Sequence, residues 1–447
     1  MKRTIASSSL IILFVGSIVA CGGSSSSSSD AGTDSGPADA ALTFDWTRDI
    51  VSTDLQVDVT AQAITATLVV AGSQTGLVSL QVGDTELISV KDDSGADLNY
   101  EVDESNIHVS VPRGDQPVTI VVAYTYELHT ATEGATTRNS TLTWPYHCGN
   151  LFPCKPNPDD GLTFTATLTN IPDGLTAVYP RSIPADGPPY MFAWAIGGYE
   201  YLDLGTTDAG TQVGAYYFPN GLPAATNGTA DLRQVIDWLE KNIGGYIFGN
   251  EMAAVAANWG SGAYGGMEHH PLWHTSRIAM SDPVVQAHEA AHGWFGNGVR
   301  IACWEDFVLS EGVAEYLAAR ALIAVGSSAG VSVWLAYRDE LNALNASSTK
   351  NKIAWPEGCN ELDIIDDGLF GGAPYTKGAY FLKGLAAKLG DTAVDSALGA
   401  FYSQYKGKAA RMQDLLDVIK AETGYDPQAC ALKWLRSNDA PTVEACE

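Results

Sequence analysis

A short stretch in the middle of the chain carries two histidines and two glutamates at the spacing of a hydrolytic metal site. His288 and His292 are four positions apart and flank Glu289. On a helix that advances about 100° per residue, the two imidazoles lie on one face. Hydrolytic zinc takes three protein ligands and keeps a fourth position for water, and Glu311 follows nineteen residues after His292. We therefore predict one Zn²⁺ per chain, bound by His288, His292 and Glu311. Glu289 is then the candidate catalytic base.

The helices that would position these residues have sequence signals of their own. Ser281-Asp282-Pro283 offers a capping side chain and a proline for the first helical position, just ahead of the histidines. Glu311 lies in the run WEDFVLSEGVAEYLAARAL, whose apolar spacing predicts a second helix. Phe295 and Gly298 stand where a metzincin would have glycine and histidine, which excludes that class of zinc enzyme.

Four short motifs surround or include this stretch. They are HEAAH followed by Glu311 in a W-x-D-x-x-x-x-E-G context, Gly265-Gly266-Met267-Glu268-His269, Tyr375-Thr376-Lys377-Gly378-Ala379, and Phe152-Pro153-Cys154. Together they resemble the signatures of the gluzincin aminopeptidases, the family of aminopeptidase N and the leukotriene epoxide hydrolase. The resemblance covers roughly residue 45 to the end of the chain, and His269 replaces the asparagine of the family's G-x-M-E-N motif.

The resemblance implies a function and roles for two further residues. Glu268 is expected to bind the free α-amine of a substrate, and Tyr375 is expected to stabilise the transition state. The implied activity is that of a zinc aminopeptidase, which removes the N-terminal residue of a peptide with a zinc-activated water. A zinc endopeptidase or an epoxide hydrolase on the same scaffold is the alternative. A catalytically silent binding module is a third possibility, which the presence of ligands, base and tyrosine disfavours.

Residues 45–204 alternate between polar and apolar side chains, as in Leu55–Val59 and Leu162–Leu168. Such alternation is typical of strands with one buried face, and Gly, Pro and Asp turns recur every ten or so residues. We therefore predict an N-terminal domain at 43–206 that is an antiparallel β-sandwich or saddle. The resemblance implies the same architecture.

Beyond about Thr206 the apolar residues recur at helical spacing. Leu232–Ile243 predicts an amphipathic helix that ends at Gly244-Gly245. Further helices are expected at 377–389, at 412–421 and around Trp434. The second domain, 207–447, is therefore predicted to be mainly helical, and the resemblance implies a thermolysin-like zinc metallopeptidase domain. The predicted fold class is multidomain α+β.

The N-terminus has the features of an export signal. Two basic residues precede an apolar run, Leu10–Ala20, that is too short to span a bilayer, so residues 1–20 are predicted to be a signal peptide. Cys21 directly follows a small residue and resembles a bacterial lipobox cysteine. Residues 21–42 are rich in serine and are predicted to be a disordered linker. We expect a protein of the bacterial cell envelope that is anchored to a membrane by lipid on Cys21; secretion is the alternative.

The amino-acid composition indicates which binding partners and which cellular compartment suit this chain. Lys and Arg number 25 against 52 Asp and Glu, which gives a net charge of −27 and argues against nucleic acid as a partner. The chain has seven cysteines, and six remain if Cys21 carries lipid, an even number that suits an oxidising compartment. Of the fifteen possible pairings, local spacing favours Cys148 with Cys154, Cys303 with Cys359, and Cys430 with Cys446.

Overall fold

The computed structural model describes residues 44–130, 133–144, 147–260, 265–438 and Cys446. The predicted signal peptide, the predicted lipid-attachment residue Cys21 and the predicted serine-rich linker lie outside these residues. From Phe44 onward the chain belongs to one compact unit.

The N-terminal half is built from strands. They are β1 (Ile50–Asp58), β2 (Ala63–Val70), β3 (Leu77–Gln81), β4 (Glu86–Lys91), β5 (Tyr100–Asp103), β6 (Asn106–Ser110), β7 (Val118–Thr125), β8 (Gly134–Ala135), β9 (Thr141–Leu142), β10 (Leu162–Thr169), β11 (Thr176–Val178), β12 (Ser182–Gly187) and β13 (Ala195–Gly197). A six-stranded sheet has the order β12-β10-β1-β2-β7-β4, and a three-stranded sheet has the order β3-β6-β5. The pairs in both sheets are antiparallel except β1 with β10, which is parallel.

Alternating side chains explain why these strands form and how the sheets face each other. In β2, Ile64, Ala66, Leu68 and Val70 are buried while the residues between them are half-exposed, as expected for a strand with one face in the core. Apolar residues of the six-stranded and the three-stranded sheet belong to one buried cluster. The predicted β-rich N-terminal region is therefore confirmed.

A five-stranded sheet introduces the other half of the molecule. It consists of β14 (Glu200–Thr206), β15 (Gln212–Tyr217), β16 (Glu251–Ala257), β17 (Gly266–Met267) and β18 (Leu272–Ser276), in the order β14-β15-β16-β18-β17. A further short pair joins β19 (Arg300–Ile301) to β20 (Ala409–Ala410). The domain boundary predicted after residue 206 falls between β14 and β15, which are hydrogen-bonded neighbours in this sheet.

Helices dominate the remainder of this half. They are α1 (Leu222–Gly228), α2 (Leu232–Asn242), α3 (Pro283–Ala291), α4 (Phe307–Ala324), α5 (Val333–Ala346), α6 (Ala373–Leu389), α7 (Asp391–Tyr405), α8 (Met412–Thr423) and α9 (Gln428–Leu435). All the helices predicted from the sequence are present. Within the described residues, no helix combines the length and the apolar character needed to cross a membrane.

Helix α3 begins where the sequence predicts. The Asp282 carboxylate accepts a hydrogen bond from the backbone N–H of Val284 at 2.9 Å, and Pro283 occupies the first helical position. This cap satisfies a backbone donor that the helix leaves free. It fixes the start of the helix that carries the histidine pair.

Helices α4 and α6 cross at unusually close range because each has a glycine at the contact. A Cβ built on Gly312 would lie 2.6 Å from the Cα of Gly378, and a Cβ built on Gly378 would lie 2.5 Å from the Cα of Gly312. Any larger residue at either position would push the helices apart. The crossing lies one residue beyond Glu311 on α4 and three residues beyond Tyr375 on α6, so it sets the distance between these two side chains.

The three disulfides favoured by local spacing are present in the structure. Cys148 is bonded to Cys154, Cys303 to Cys359, and Cys430 to Cys446. The second of these joins the segment just before α4 to the loop that leads into α6. It therefore ties together the two chain segments that precede the crossing helices.

Candidate active site

Three side chains from two helices converge on one point. The Nε2 atoms of His288 and His292 are 3.0 Å apart, and the Glu311 Oε2 atom lies 3.3 Å from the first and 3.4 Å from the second. His288 lies in α3, His292 directly follows the last residue of that helix, and Glu311 lies in α4. All three side chains are largely or fully buried.

The donor set fits zinc. Zn–N and Zn–O bonds of about 2.0–2.1 Å in a tetrahedral arrangement place neighbouring donors roughly 3.3 Å apart, which is close to the three distances observed here. Two imidazole nitrogens and one carboxylate are also the ligand types of hydrolytic zinc sites. His288, His292 and Glu311 would therefore hold the ion, as the sequence predicts.

Electrostatics show that this point favours a cation. Burial alone would lower the pKa of His292, but the charges of Glu311, Glu268 and Glu289 together outweigh it and the pKa rises to about 10. For Glu311, burial raises the pKa, yet the neighbouring histidines prevail and lower it to about 2. The carboxylate therefore stays ionised and attracts positive charge, either protons on the imidazoles or a metal ion.

The contacts of the Nδ1 atom in each imidazole determine whether the Nε2 atom is free to bind the ion. The Nδ1–H of His292 donates to the backbone carbonyl of Phe295 at 3.0 Å, so its Nε2 carries the free lone pair. The Nδ1 of His288 lies 3.7 Å from Oε1 of Glu315, a distance at which the attraction is electrostatic rather than a hydrogen bond. Glu315 was not predicted from the sequence, because on a helix it looks like any other glutamate.

Glu289 lies beside the three donors without being one of them. It is buried, and its Oε2 atom has no hydrogen-bond partner among the described residues. Gly266 makes room for it, since a Cβ there would lie only 2.2 Å from Oε1 of Glu289. Burial raises the pKa of Glu289 to about 8, while the charges of His288 and His292 oppose that rise. A cation at the donor set would lower this pKa further and favour the ionised form that a general base needs.

Glu268 follows directly after β17, the edge strand of the five-stranded sheet. It is buried, and its backbone carbonyl accepts a hydrogen bond from the Asn297 side chain at 2.5 Å. One ligand atom from each of Glu268, Glu289 and His292 lies within 4.8 Å of the others, so this carboxylate is close to the metal centre. Burial raises its pKa, and the negative charge of Glu311 adds to that effect.

Two tyrosines complete the polar surroundings. Burial, together with the charges of nearby carboxylates, holds the pKa of Tyr375 well above its usual value, so its hydroxyl stays protonated and can donate a hydrogen bond. Burial likewise raises the pKa of Tyr190, from the N-terminal half, and the charge of Glu268 adds to that rise. Sequence reasoning missed Tyr190, because no motif marks it and it reaches the site only through the fold.

The predicted residues surround a single cavity of about 180 Å³. Its lining among the described residues consists of Trp144, Gly265, Gly266, Met267, Glu268, His288, Glu289, His292, Phe307, Glu311, Phe370 and Tyr375. All six predicted site residues of the second half are among them, although their catalytic roles stay predictions. Trp144, Phe307 and Phe370 were not predicted, and they form an apolar part of the wall.

Comparison with known proteins agrees with this geometry. Residues 267–434 match the family model described as "Peptidase family M1 domain". The chain is 28% identical over 319 residues to leucine aminopeptidase 2 of Emericella nidulans, covering 64% of this chain and 50% of that protein. It is 24% identical over 430 residues to leucine aminopeptidase 2 of Neurospora crassa, covering 84% and 62%. The chain thus spans about half the length of the first of these curated relatives.

Solved structures show the same fold. The M1 zinc metallopeptidase of Deinococcus radiodurans superposes with a TM-score of 0.74 at 18% identity, covering 89% of this chain and 96% of that chain. Aminopeptidase A of Legionella pneumophila, solved with aspartic acid, gives a TM-score of 0.72 at 18% identity, covering 87% and 49%. With the histidine and glutamate donors converging as described, residues 267–434 match the M1 peptidase family model, and the chain is similar to the gluzincin family of aminopeptidase N.

Proposed function

We propose that this protein is a zinc-dependent aminopeptidase that removes the N-terminal residue of peptides with a free α-amine. The observation that carries the proposal is the position of Glu268, which has a ligand atom within 4.8 Å of those of Glu289 and His292. The α-nitrogen of a residue and its own carbonyl carbon are only about 2.5 Å apart. An ammonium held by Glu268 therefore leaves the first carbonyl of the peptide beside the metal centre.

The known structures and relatives support this assignment. A mutant of the Deinococcus radiodurans M1 zinc metallopeptidase has been solved with a Tyr-Ser-Ala substrate, and a mutant of a two-domain M1 zinc metallopeptidase has been solved with L-tryptophan and with L-arginine. Each of these ligands has a free α-amine. The relatives from Emericella nidulans and Neurospora crassa are named leucine aminopeptidases.

The residues that line the cavity have separate proposed roles in hydrolysis. Zinc, when bound by His288, His292 and Glu311, supplies a Lewis acid that activates water and polarises a carbonyl at neutral pH. Glu289 is placed to accept the proton of the attacking water and to pass it to the leaving amine. Tyr375 keeps its proton and is placed to donate a hydrogen bond to the developing oxyanion.

The test compares peptides with a free N-terminus and the same peptides after N-acetylation. A hydrogen bond to a charged group contributes about 1.5–3 kcal/mol, so Glu268→Ala should lower kcat/KM on free-amine peptides roughly ten- to a hundredfold. Glu422→Ala, a change at an exposed glutamate on α8, serves as the matched control and should leave kcat/KM unchanged. The wild type should reject acetylated peptides. Internal cleavage of acetylated peptides would instead establish an endopeptidase, and turnover of an epoxide alone would establish an epoxide hydrolase.

Zinc dependence is tested by metal content and by removal of the metal. Purified protein should hold about one zinc per chain, and chelation should abolish turnover until zinc is restored. Full turnover by zinc-free protein would contradict the assignment of His288, His292 and Glu311 as ligands.

For localisation we propose a lipid anchor on Cys21 that holds the protein at a membrane of the bacterial cell envelope. The support is the short apolar run before Cys21 and the serine-rich segment after it. Cys21→Ser should abolish incorporation of a labelled fatty acid and release soluble protein, because the sequence after it is rich in serine and poor in large apolar residues that could bind a membrane. Unchanged membrane retention of the variant would refute the anchor and favour another mode of attachment.

A further inference from the structure

We propose that Trp144 is a specificity-determining residue: together with Met267 and Phe370 it forms an apolar slot that receives the first side chain of the peptide. The slot would select bulky apolar and aromatic N-terminal residues over charged ones. This inference rests on the proposed aminopeptidase function and names the substrate class of the same cavity.

The cavity has two chemically different walls. One wall carries the metal donors, Glu289 and Glu268, which would engage the amine and the carbonyl of the first residue. The other wall is apolar and is formed by Trp144, Met267, Phe307 and Phe370. An α-carbon bears its side chain on a different bond from the amine and the carbonyl. With those two groups held at the polar wall, the side chain of the first residue would contact the apolar wall.

The apolar wall is packed rather than loose. The rings of Trp144 and Phe370 have centroids 5.6 Å apart, and those of Phe307 and Phe370 are 5.3 Å apart. Trp144 and Met267 are only 6% and 7% exposed and belong to one apolar cluster, against which Phe370 packs. Aromatic pairs at this spacing are mutually stabilising, so these rings form a packed, preformed wall.

A hydrogen bond fixes Trp144 relative to the amine-binding carboxylate. The Nε2–H of His269 donates to the backbone carbonyl of Thr143 at 2.6 Å. His269 directly follows Glu268, and Thr143 directly precedes Trp144. One buried contact thus joins the residue that would hold the ammonium to the residue that would receive the side chain, although the two lie far apart in sequence.

The chemistry of the walls predicts an order of substrates. Among the described lining residues no side chain is a lysine or an arginine. The side chain of a substrate that begins with glutamate would therefore lose its hydration without gaining an ion-pair partner. A lysine side chain would also lose hydration, but the carboxylates of Glu268, Glu289 and Glu311 offset part of that loss. The expected order of kcat/KM is therefore phenylalanine and leucine first, then alanine, then lysine, with glutamate last.

The experiment measures both turnover and binding on the zinc-loaded protein. Turnover is measured with aminoacyl reporter substrates of phenylalanine, leucine, alanine, lysine and glutamate, and binding of the free amino acids is measured by calorimetry. A slot that loses an apolar wall discriminates roughly ten- to two-hundredfold less well. Trp144→Ala should therefore lower kcat/KM for phenylalanine and leucine by about tenfold or more while changing that for alanine by less than about threefold.

Matched variants separate the slot from general damage to the fold. Trp46→Ala changes a partly exposed tryptophan in the N-terminal half and should leave the order of substrates unchanged. Trp144→Phe keeps an aromatic wall and should retain most of the preference, even if Trp144→Ala lowers the melting temperature.

The outcomes distinguish the two proposals. If the wild type prefers lysine or glutamate, or if both Trp144 variants keep the wild-type order, the slot is refuted while aminopeptidase activity stands. If no reporter is hydrolysed but phenylalanine and leucine bind more tightly than lysine and glutamate, and Trp144→Ala removes that difference, the slot stands and the hydrolytic function is refuted.

Discussion

At the scale of single residues, Glu289 is the side chain whose loss should separate chemistry from metal binding. It lies beside the three donors but is not one of them, and glutamine is nearly the same shape. We expect Glu289→Gln to retain about one zinc per chain and to lower turnover by about 10²–10⁴, the usual contribution of a general base. Metal content and kcat are the measurements. Near-normal turnover with normal zinc content would remove Glu289 from the mechanism.

Glu315 should act on the metal through His288. Its carboxylate is 3.7 Å from the Nδ1 of that histidine, where negative charge favours the tautomer with a free Nε2 lone pair. Loss of such a supporting group typically costs 10–100-fold in metal affinity. We expect Glu315→Gln to weaken zinc binding by about tenfold or more in competition with a chelator. Glu422→Gln is the control, and equal affinities for the two variants would show that Glu315 has no such role.

Some site residues could be predicted from the sequence alone because their spacing along the chain indicates their chemistry. His288, Glu289 and His292 fall within one helical turn, so the helical period alone brings them together. Glu268 and Tyr375 needed the resemblance to a family. Tyr190 and Trp144 could not be found by either route, because they approach the cavity from the other half of the chain by tertiary packing.

At the scale of elements, the glycine contact between α4 and α6 should be the most sensitive helix crossing. Overpacking a tight contact typically costs about 1–3 kcal/mol, so we expect Gly312→Ala to lower the free energy of unfolding by that amount. Turnover should also fall, because Tyr375 would move away from Glu311. Gly245→Ala is the control, since a Cβ there meets nothing within 4 Å. Denaturant unfolding and kcat would test the prediction, and a variant as stable as the control would contradict it.

Helices could be predicted where the sequence signal is local. Strand pairings between segments that are far apart in the sequence could not. The cap at Asp282 and the start of α3 follow from adjacent residues, and α2 follows from its apolar period. The parallel pairing of β1 with β10 joins residues such as Leu55 and Ala166, whose separation along the chain leaves no local signal. Likewise, nothing near Glu200–Thr206 indicates that β14 belongs to the sheet of the second half.

At the scale of the whole molecule, buried histidines should make stability depend on pH. Burial lowers the pKa of His269 to about 4 and that of His274 well below its usual value, whereas in the unfolded chain both titrate near 6.5. Between pH 6.5 and 4 the unfolded chain therefore binds protons that the folded chain does not. Each such histidine reduces the free energy of unfolding by up to about 1.4 kcal/mol per pH unit as the pH falls.

Buried carboxyl groups have the opposite effect on stability as the pH falls. The contribution of a single histidine is therefore tested by comparing a variant with the wild type. Burial raises the pKa of Asp160 and of Asp306 to about 6, and protonation of these groups favours the folded state as the pH falls. We expect the melting temperature of His274→Leu to decrease less between pH 7.5 and 5 than that of the wild type. Identical decreases would show that His274 does not contribute to the pH dependence.

The sheet that contains β14 and β15 limits where this chain can be divided. A shortened protein that began at residue 207 would keep every predicted metal ligand but would lack β14, leaving the backbone N–H and C=O groups on that side of β15 without partners. Exposed strand edges pair readily with other chains. Attempts to produce the second half alone should therefore start before Glu200, or the product will be recovered as aggregates rather than as a soluble metal-binding domain.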